Sequence, residues 1–450
     1  MTAAGQNIHS HSQGPPLTTQ QQTTSEVDSL NRRAIVAACA GTFVEFFDFT
    51  TYGVFAAVIA AQFFPNQSGL TALLATFAVF GVSYLLRPLG AIVFGHYGDK
   101  LGRRNVLAIS IITMSGSTFL IGAVPVYAQI GLAAPIILVI LRSLQGFSAG
   151  GEWGGATTFL AEYAPRGRRG FLCGLNIFAT VLGVLFGVVL GGTLSLVMSP
   201  DALHAWGWRI PFLLALPLGL VGLYFRRKLD ETPEFKRARA TDSVDKTPLR
   251  TAVRQYRRQL LVVVGLTALG TSGMYLLLFM PTYMSKVLHY TFSESLIAVG
   301  AAFGACACTI LVASAASDRM GRRMVMLVGS VLSVVTVVPA FWLVQQSFTS
   351  ALSGSIALGA AIGVFCGPFP AAIAELFPTA IRFSGLSLGY GVATSVFGGM
   401  TPLAVTFLLE RTHNAMAPAY FFVVAAIITL TATIFYNESR ERKVATAAVV

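Results

Sequence analysis

Charge is scarce in this chain: only 11% of its 450 residues are Asp, Glu, Lys or Arg, where soluble domains carry roughly 25%. With 54% hydrophobic residues and a mean hydropathy of +0.69, water is not its principal solvent. No lysine follows a glycine anywhere, which excludes a phosphate-cradling loop of the G-x-x-x-x-G-K type and leaves an ATP-driven pump in need of a second protein. The six histidines (His9, His11, His96, His204, His289, His413) fall in the N-terminal tail or in expected loops, so no buried imidazole offers a proton relay. All five cysteines lie in apolar runs, and Cys306 and Cys308 project to different sides of their helix, so neither a disulfide framework nor a metal site is expected. No nucleophile with an adjacent base stands out; an enzyme is not expected, and no cofactor is implied. The net charge of +12 does not indicate nucleic acid, because the basic residues are spread over short loops instead of gathering on a soluble face.

What is present are long apolar runs. A hydrocarbon core about 30 Å thick needs some twenty helical residues, and twelve runs qualify. They lie near Ala34 to Ala61, Leu70 to Phe94, Asn105 to Val124, Ala133 to Ala161, Gly170 to Val197, Trp208 to Phe225, Leu260 to Tyr283, Ser295 to Ser317, Met324 to Val344, Ala351 to Phe377, Ser384 to Leu409 and Ala417 to Tyr436. Hydrocarbon supplies no partners for backbone amides, and the runs are too long for barrel strands, so an all-α integral membrane protein is predicted. The signatures 95-GHYGDKLGRR-104 and 314-SAASDRMGRR-323 sit half a chain apart at the feet of the second and eighth runs, which makes the chain a duplication of six helices. The expected organisation is a disordered tail (1–31), a first six-helix bundle (32–227), a polar linker (228–258), a second bundle (259–437) and a short tail (438–450). Lys and Arg gather in alternate loops, among them Arg103 and Arg104, Arg168 and Arg169, the run from Arg226 to Arg258, and Arg322 and Arg323. The positive-inside rule places those loops and both termini in the cytoplasm, in a multi-pass cell membrane protein.

Ionisable residues inside such spans are costly and mark pathways. In the first run, Glu45 and Asp48 stand three apart with Tyr52 on the same stripe; in the fourth, Arg142, Gln145, Glu152 and Trp153 do so. Asp48 and Arg142 lie at similar depth and are expected to pair. Three carboxylates against one central arginine leave two over, so Glu45, Asp48 and Glu152 are candidate proton carriers. Arg87, roughly 10 Å from the inner end of its run, either snorkels or takes part. The second half offers neutral groups such as Thr271, Tyr275, Tyr390 and Thr394.

With these residues in hand, the chain resembles the major facilitator superfamily and, within it, the metabolite:proton symporter family. Gly95, Asp99, Lys100, Gly102, Arg103 and Arg104 match the family signature G-x-x-x-D-[RK]-x-G-[RK]-[RK]; the second copy carries Ser314 in place of the first glycine. Further likeness lies in EFFDFTTYG from Glu45, YLLRPLGAIVFG around Arg87, the run from Arg142 to Pro165, and WGWRIPFLLALPLGLVGLY followed by ETPEF. The resemblance implies two pseudo-symmetric six-helix bundles working by alternating access. It also implies a gate in which Gly95, Asp99, Gly102, Arg103, Arg104, Glu162 and Arg169 face their repeats Asp318, Arg322, Glu375 and Arg382. EFFDFTTYG is similar to the proline and betaine branch and GGEWGGA to the shikimate and aromatic-acid branch.

Arg142 is the expected anchor for a substrate carboxylate, a guanidinium being able to grip one with two bonds. Gln145, Tyr52, Trp153, Tyr275 and Tyr390 are expected to complete the substrate site, with the aromatic rings available to a quaternary ammonium. The expectation is proton-coupled uptake of a small carboxylate-bearing metabolite, an organic acid or a zwitterion, by a chain that works as a monomer in the lipid bilayer. Proton-driven efflux on the same fold and a non-transporting membrane sensor remain the alternatives. Osmosensing relatives have a long C-terminal coiled coil with no counterpart here, so osmotic sensing by that device is not expected.

Overall fold

The computed structural model describes residues 18–65, 69–165, 167–228, 231, 232, 235, 237, 240 and 247–438. Among these the chain is helical throughout, with eleven helices long and apolar enough to cross a membrane and a twelfth if a bent pair counts as one span. We number them α1 (Thr18–Val54, continued by Ala56–Phe63), α2 (Ala75–Leu101), α3 (Arg103–Ala123), α4 (Ala133–Tyr163), α5 (Arg169–Val197), α6 (Arg209–Arg227), α7 (Arg257–Lys286), α8 (Ser293–Met320), α9 (Arg322–Val344), α10 (Phe348–Ala374), α11 (Thr379–Thr412) and α12 (Ala417–Phe435).

Three features differ from the sequence reading. The first span is not straight but turns by 65° at Phe55. Its helix begins at Thr18, so residues 18–31, read as disordered tail, are helical; residues 1–17, 66–68 and 439–450, Arg166 and part of the linker (229, 230, 233, 234, 236, 238, 239 and 241–246) lie outside the described residues. The signature segments are also not loops of any length. Asp99 and Asp318 occupy the last turns of α2 and α8, and each chain reversal is a single glycine, Gly102 at φ +108° and Gly321 at φ +93°. That region of backbone space suits glycine because a Cβ would strain it.

α1–α6 and α7–α12 each pack among themselves, and the halves meet along two seams, α2 against α11 and α5 against α8, as a pseudo-two-fold axis requires. Apolar lipid gives no hydrophobic drive for helix association, so close van der Waals approach has to supply it and small residues line the contacts. A Cβ on Gly95 would come within 3.0 Å of Ser384 Cα across the α2–α11 seam. Within the first half, a Cβ on Gly146 of α4 would collide with the Ser83 carbonyl of α2. Gly146→Ala should therefore destabilise by about 1–3 kcal/mol through overpacking against backbone. A fall in the thermal unfolding midpoint of the purified protein checks this, and an unchanged midpoint would show that α2 and α4 part freely.

Candidate functional site

Two layers of buried charge occupy the bundle. The first lies at the signature end and joins the halves. Asp99 Oδ2 accepts from the Ser384 amide at 2.8 Å, at the start of the main α11 helix, while Asp318 accepts from the Gly170 and Phe171 amides at 2.8 and 2.9 Å, at the start of α5. Each aspartate of one half thus caps a helix N-terminus of the other, where free amides and the helix dipole favour an anion. Around Asp99, Arg103 reaches Asp99 (3.3 Å), Glu162 (3.2 Å) and the Thr379 carbonyl (2.9 Å), and Arg382 reaches Glu162 at 3.3 Å. Around Asp318, Arg322 pairs with Asp318 at 2.8 Å and with Glu375 at 3.4 Å. The expected gate residues are therefore brought together, with Arg169 donating to the Ala161 carbonyl at 2.9 Å and Arg104 to the Arg227 carbonyl at 2.6 Å.

Sequence reasoning missed two acids in this layer. Glu231 accepts from the Arg104 amide (3.2 Å) and Glu438 from the Arg322 and Arg323 amides (3.1 and 3.3 Å), so each half ends in a carboxylate that seals the glycine turn of its own half. Their matching positions after α6 and α12 were the available signal. Phe235 also covers Arg103, 4.3 Å from ring to guanidinium.

The second layer lies near mid-depth, and here the expectations need correction. Glu152 is not a spare carboxylate. Arg226, read as the start of the cytoplasmic linker, is buried at the end of α6 and grips both Glu152 oxygens, while Ser110 Oγ donates to Glu152 Oε2 at 2.5 Å. Gly41 makes the room, since a Cβ there would overlap both charged groups. Arg87 does not snorkel: it is 1% exposed, lies 2.9 Å from Glu45 and is flanked by the rings of Tyr84 (4.3 Å) and Phe49 (4.5 Å). The count of one arginine for three carboxylates thus becomes three for three.

Asp48 and Arg142 do not pair directly. Arg142 donates to Gln145 Oε1, Gln145 Nε2 donates to Thr118 Oγ1 at 2.7 Å, and Thr118 donates to Asp48 Oδ2 at 2.7 Å. Asp48 Oδ1 has no hydrogen-bond partner among the described residues, and no ion pair reaches Asp48 there. Arg142 lies inside the first bundle over Tyr52 (4.0 Å), with Phe49 and Phe80 beyond 5 Å, so the ring expected to greet a ligand already holds an arginine. Tyr52 itself donates to the Thr76 carbonyl at 3.1 Å. Between the halves, Trp153 stacks on Tyr390 at 3.9 Å and the Tyr84 and Tyr275 hydroxyls bond to each other. Of the expected substrate residues, Trp153, Tyr275 and Tyr390 meet at the seam, whereas Tyr52, Arg142 and Gln145 sit behind it.

The description Major Facilitator Superfamily matches residues 38–313, more than half of the chain, and Sugar (and other) transporter matches 236–449. The chain belongs to the major facilitator superfamily. Among curated relatives it is 37% identical to the glycine betaine/proline/ectoine/pipecolic acid transporter OusA of Dickeya dadantii, covering 92% of this chain and 85% of that one. It is 36% identical to the proline/betaine transporter of Escherichia coli K12 (95% and 87%) and 39% identical to the citrate-proton symporter of Klebsiella pneumoniae (89% and 91%). These relatives place it in the metabolite:proton symporter family: a multi-pass membrane transporter, not an enzyme. The proton:xylose symporter XylE bound to 6-bromo-6-deoxy-D-glucose shares the fold, with a TM-score of 0.75, 18% identity, and 91% of this chain and 95% of that chain covered.

Removing one partner of a buried pair strands the other charge, typically at about 3–5 kcal/mol, whereas removing both is far milder. Arg226→Met should therefore lower the thermal midpoint of this transporter sharply, and Arg226→Met with Glu152→Gln should recover most of it. Equal loss in the single and double variants would show that the pair contributes packing alone.

Proposed function

We propose that this transporter is a proton-coupled symporter that carries a small carboxylate-bearing metabolite into the cell. The observation that carries the reading is the isolation of Asp48. Of the three mid-depth carboxylates, Glu152 is held by Arg226 and Glu45 lies against Arg87, while among the described residues Asp48 bonds to neutral groups, the Thr118 hydroxyl and the Gln145 amide, and to no cation. It is the acid that can take up and release a proton without breaking an ion pair. The Arg142–Gln145–Thr118 chain gives its charge a neighbour at a distance, so that both protonation states are supported. Glu152, first taken as a proton carrier, becomes a fixed partner of Arg226.

The basic signature end is the cytoplasmic side by the positive-inside rule, with both termini there. In this conformation that side is shut by the two capping aspartates, and rocking about the α2–α11 and α5–α8 seams would open it. Both halves of the site come from one chain, which supports function as a monomer. The relatives' names supply the substrate range to try: proline, glycine betaine and citrate.

Uptake into proteoliposomes with an inward proton gradient, with and without an ionophore, tests the reading: accumulation of one of these solutes should require the gradient. Asp48→Asn should lose gradient-driven accumulation by at least tenfold, the lower range of general acid–base effects being about a hundredfold, while keeping solute exchange at equilibrium. A variant that accumulates solute as the wild type does would remove Asp48 as the proton carrier. Faster exit of preloaded solute with the gradient on would favour efflux instead.

A further inference from the structure

We infer that Thr118 is a positioning residue for the coupling proton: its single hydroxyl hydrogen turns between Asp48 and the Met114 carbonyl, so that Asp48 is hydrogen-bonded both as a carboxylate and as a neutral acid, with the proton held on Oδ2. The inference deepens the transport reading above and rests on Asp48 as the proton carrier.

The polarity of the side-chain chain is fixed from its far end. A guanidinium only donates hydrogen bonds, so Gln145 turns Oε1 towards Arg142 and its amide nitrogen towards Thr118. The Thr118 oxygen is thereby committed to accepting from Gln145 at 2.7 Å, and the same amide reaches Asp48 as well. That leaves Thr118 one hydrogen to give and one lone pair to fill. Arg142, Gln145, Thr118 and Asp48 are all fully buried, so these needs have to be met within the bundle.

Two acceptors stand ready for that hydrogen: Asp48 Oδ2 at 2.7 Å and the Met114 carbonyl, one turn back on α3, at 3.0 Å. A helical threonine commonly bonds to the carbonyl four residues back, and that carbonyl has a second lone pair beside its helix bond. With Asp48 ionised, Thr118 donates to Oδ2. With a proton on Oδ2, the acid donates to the free lone pair of Thr118 and the hydroxyl hydrogen turns to Met114. Thr118 and Oδ2 are bonded in both states, no heavy atom has to move, and the one covalent change is the O–H bond made or broken at Asp48. Oδ1 offers no such exchange: it has no hydrogen-bond partner among the described residues, so a proton there would find no acceptor among them.

The charges around Asp48 are otherwise engaged or distant. Glu45 on its own helix and Arg142 of α4 face it electrostatically; Glu45 is paired with Arg87 of α2, and Glu152 of α4 with Arg226 of α6. The other cations of α6, Arg209 and Arg227, stand at its two ends, α3 and α5 bring only Arg103, Arg104 and Arg169 at the signature end, and α7 carries no charged residue between Arg258 and Lys286. The phenols of Tyr52, Tyr84 and Tyr275 are bonded to the Thr76 carbonyl and to each other. A hydrogen bond to a carboxylate is roughly twice as strong as one between neutral groups. Losing the Thr118 hydroxyl therefore costs the ionised state more than the neutral acid, and the proton is then held to higher pH.

The test is acid-minus-alkaline difference infrared spectroscopy of the full chain in phosphatidylcholine bilayers, without substrate. The wild type should show a carboxylic-acid C=O band that is missing in Asp48→Asn, at the lowered frequency of an acid that donates a hydrogen bond. Thr118→Val, of the same shape without the hydroxyl, should raise that frequency and move the midpoint at which the band appears up by about one pH unit. Thr118→Ser, which restores the hydroxyl, should return both to the wild-type values, a rescue that a purely structural threonine does not require. Should Thr118→Val misfold, the wild-type band decides: a hydrogen-bonded frequency supports the inference and a free-acid frequency overturns it. A midpoint unchanged in folded Thr118→Val, or the same shift in Thr118→Ser, would overturn it as well while leaving Asp48 the proton carrier. A difference spectrum that Asp48→Asn leaves unchanged would remove the carrier and this inference together.

Discussion

Charge held out of water has to be partnered, and in this protein that requirement shapes the first bundle. Glu45, Asp48 and Glu152 are each fully buried, and so are Arg87 and Arg142, with Arg226 nearly so. The three acids find three different solutions: a forked pair for Glu152, a misaligned pair for Glu45, and a hydroxyl at the end of a side-chain chain for Asp48. Because the solutions differ, so do the tasks each acid is fit for. A forked, fully bonded pair resists change, whereas a carboxyl without a cation exchanges protons at least structural cost.

The same requirement organises the signature end by different means. Asp99 and Asp318 are satisfied by helix N-termini belonging to the opposite half, so their charges are at rest only while the halves are together. Arginines 103, 322 and 382 bind acids on neighbouring helices, and single-glycine turns at 102 and 321 bring α3 and α9 close enough to place them. Duplication gives the two halves matching parts at this end, including the acids Glu231 and Glu438 that follow α6 and α12. No such symmetry exists at mid-depth, where the second half contributes tyrosines and backbone to charges supplied by the first. The signature end and the mid-depth layer are therefore built on different principles, one from a repeated contact and the other from complementary halves.

Much of this was legible without coordinates. Scarce charge, long apolar runs, the paired signatures and the basic loops determined an all-α duplicated membrane transporter, because hydropathy, backbone satisfaction and charge bias act locally along the chain. The matching positions at the signature end were legible too, as a repeated motif declares which positions correspond. What the sequence could not determine was which charge answers which. Arg226 stands at the edge of an apolar run and reads as a loop residue, yet folds inward onto Glu152 on a helix seventy-odd positions earlier. Arg87 reads as a snorkelling arginine and is instead sealed against Glu45. Asp48 and Arg142 share a depth and still do not meet, since Thr118 and Gln145 stand between them. Depth along a helix follows from a rise of 1.5 Å per residue, but the direction a side chain takes depends on how helices are rotated and packed about one another. That rotation is set by small residues such as Gly41, Gly95 and Gly146 meeting particular neighbours, and only the tertiary structure decided it.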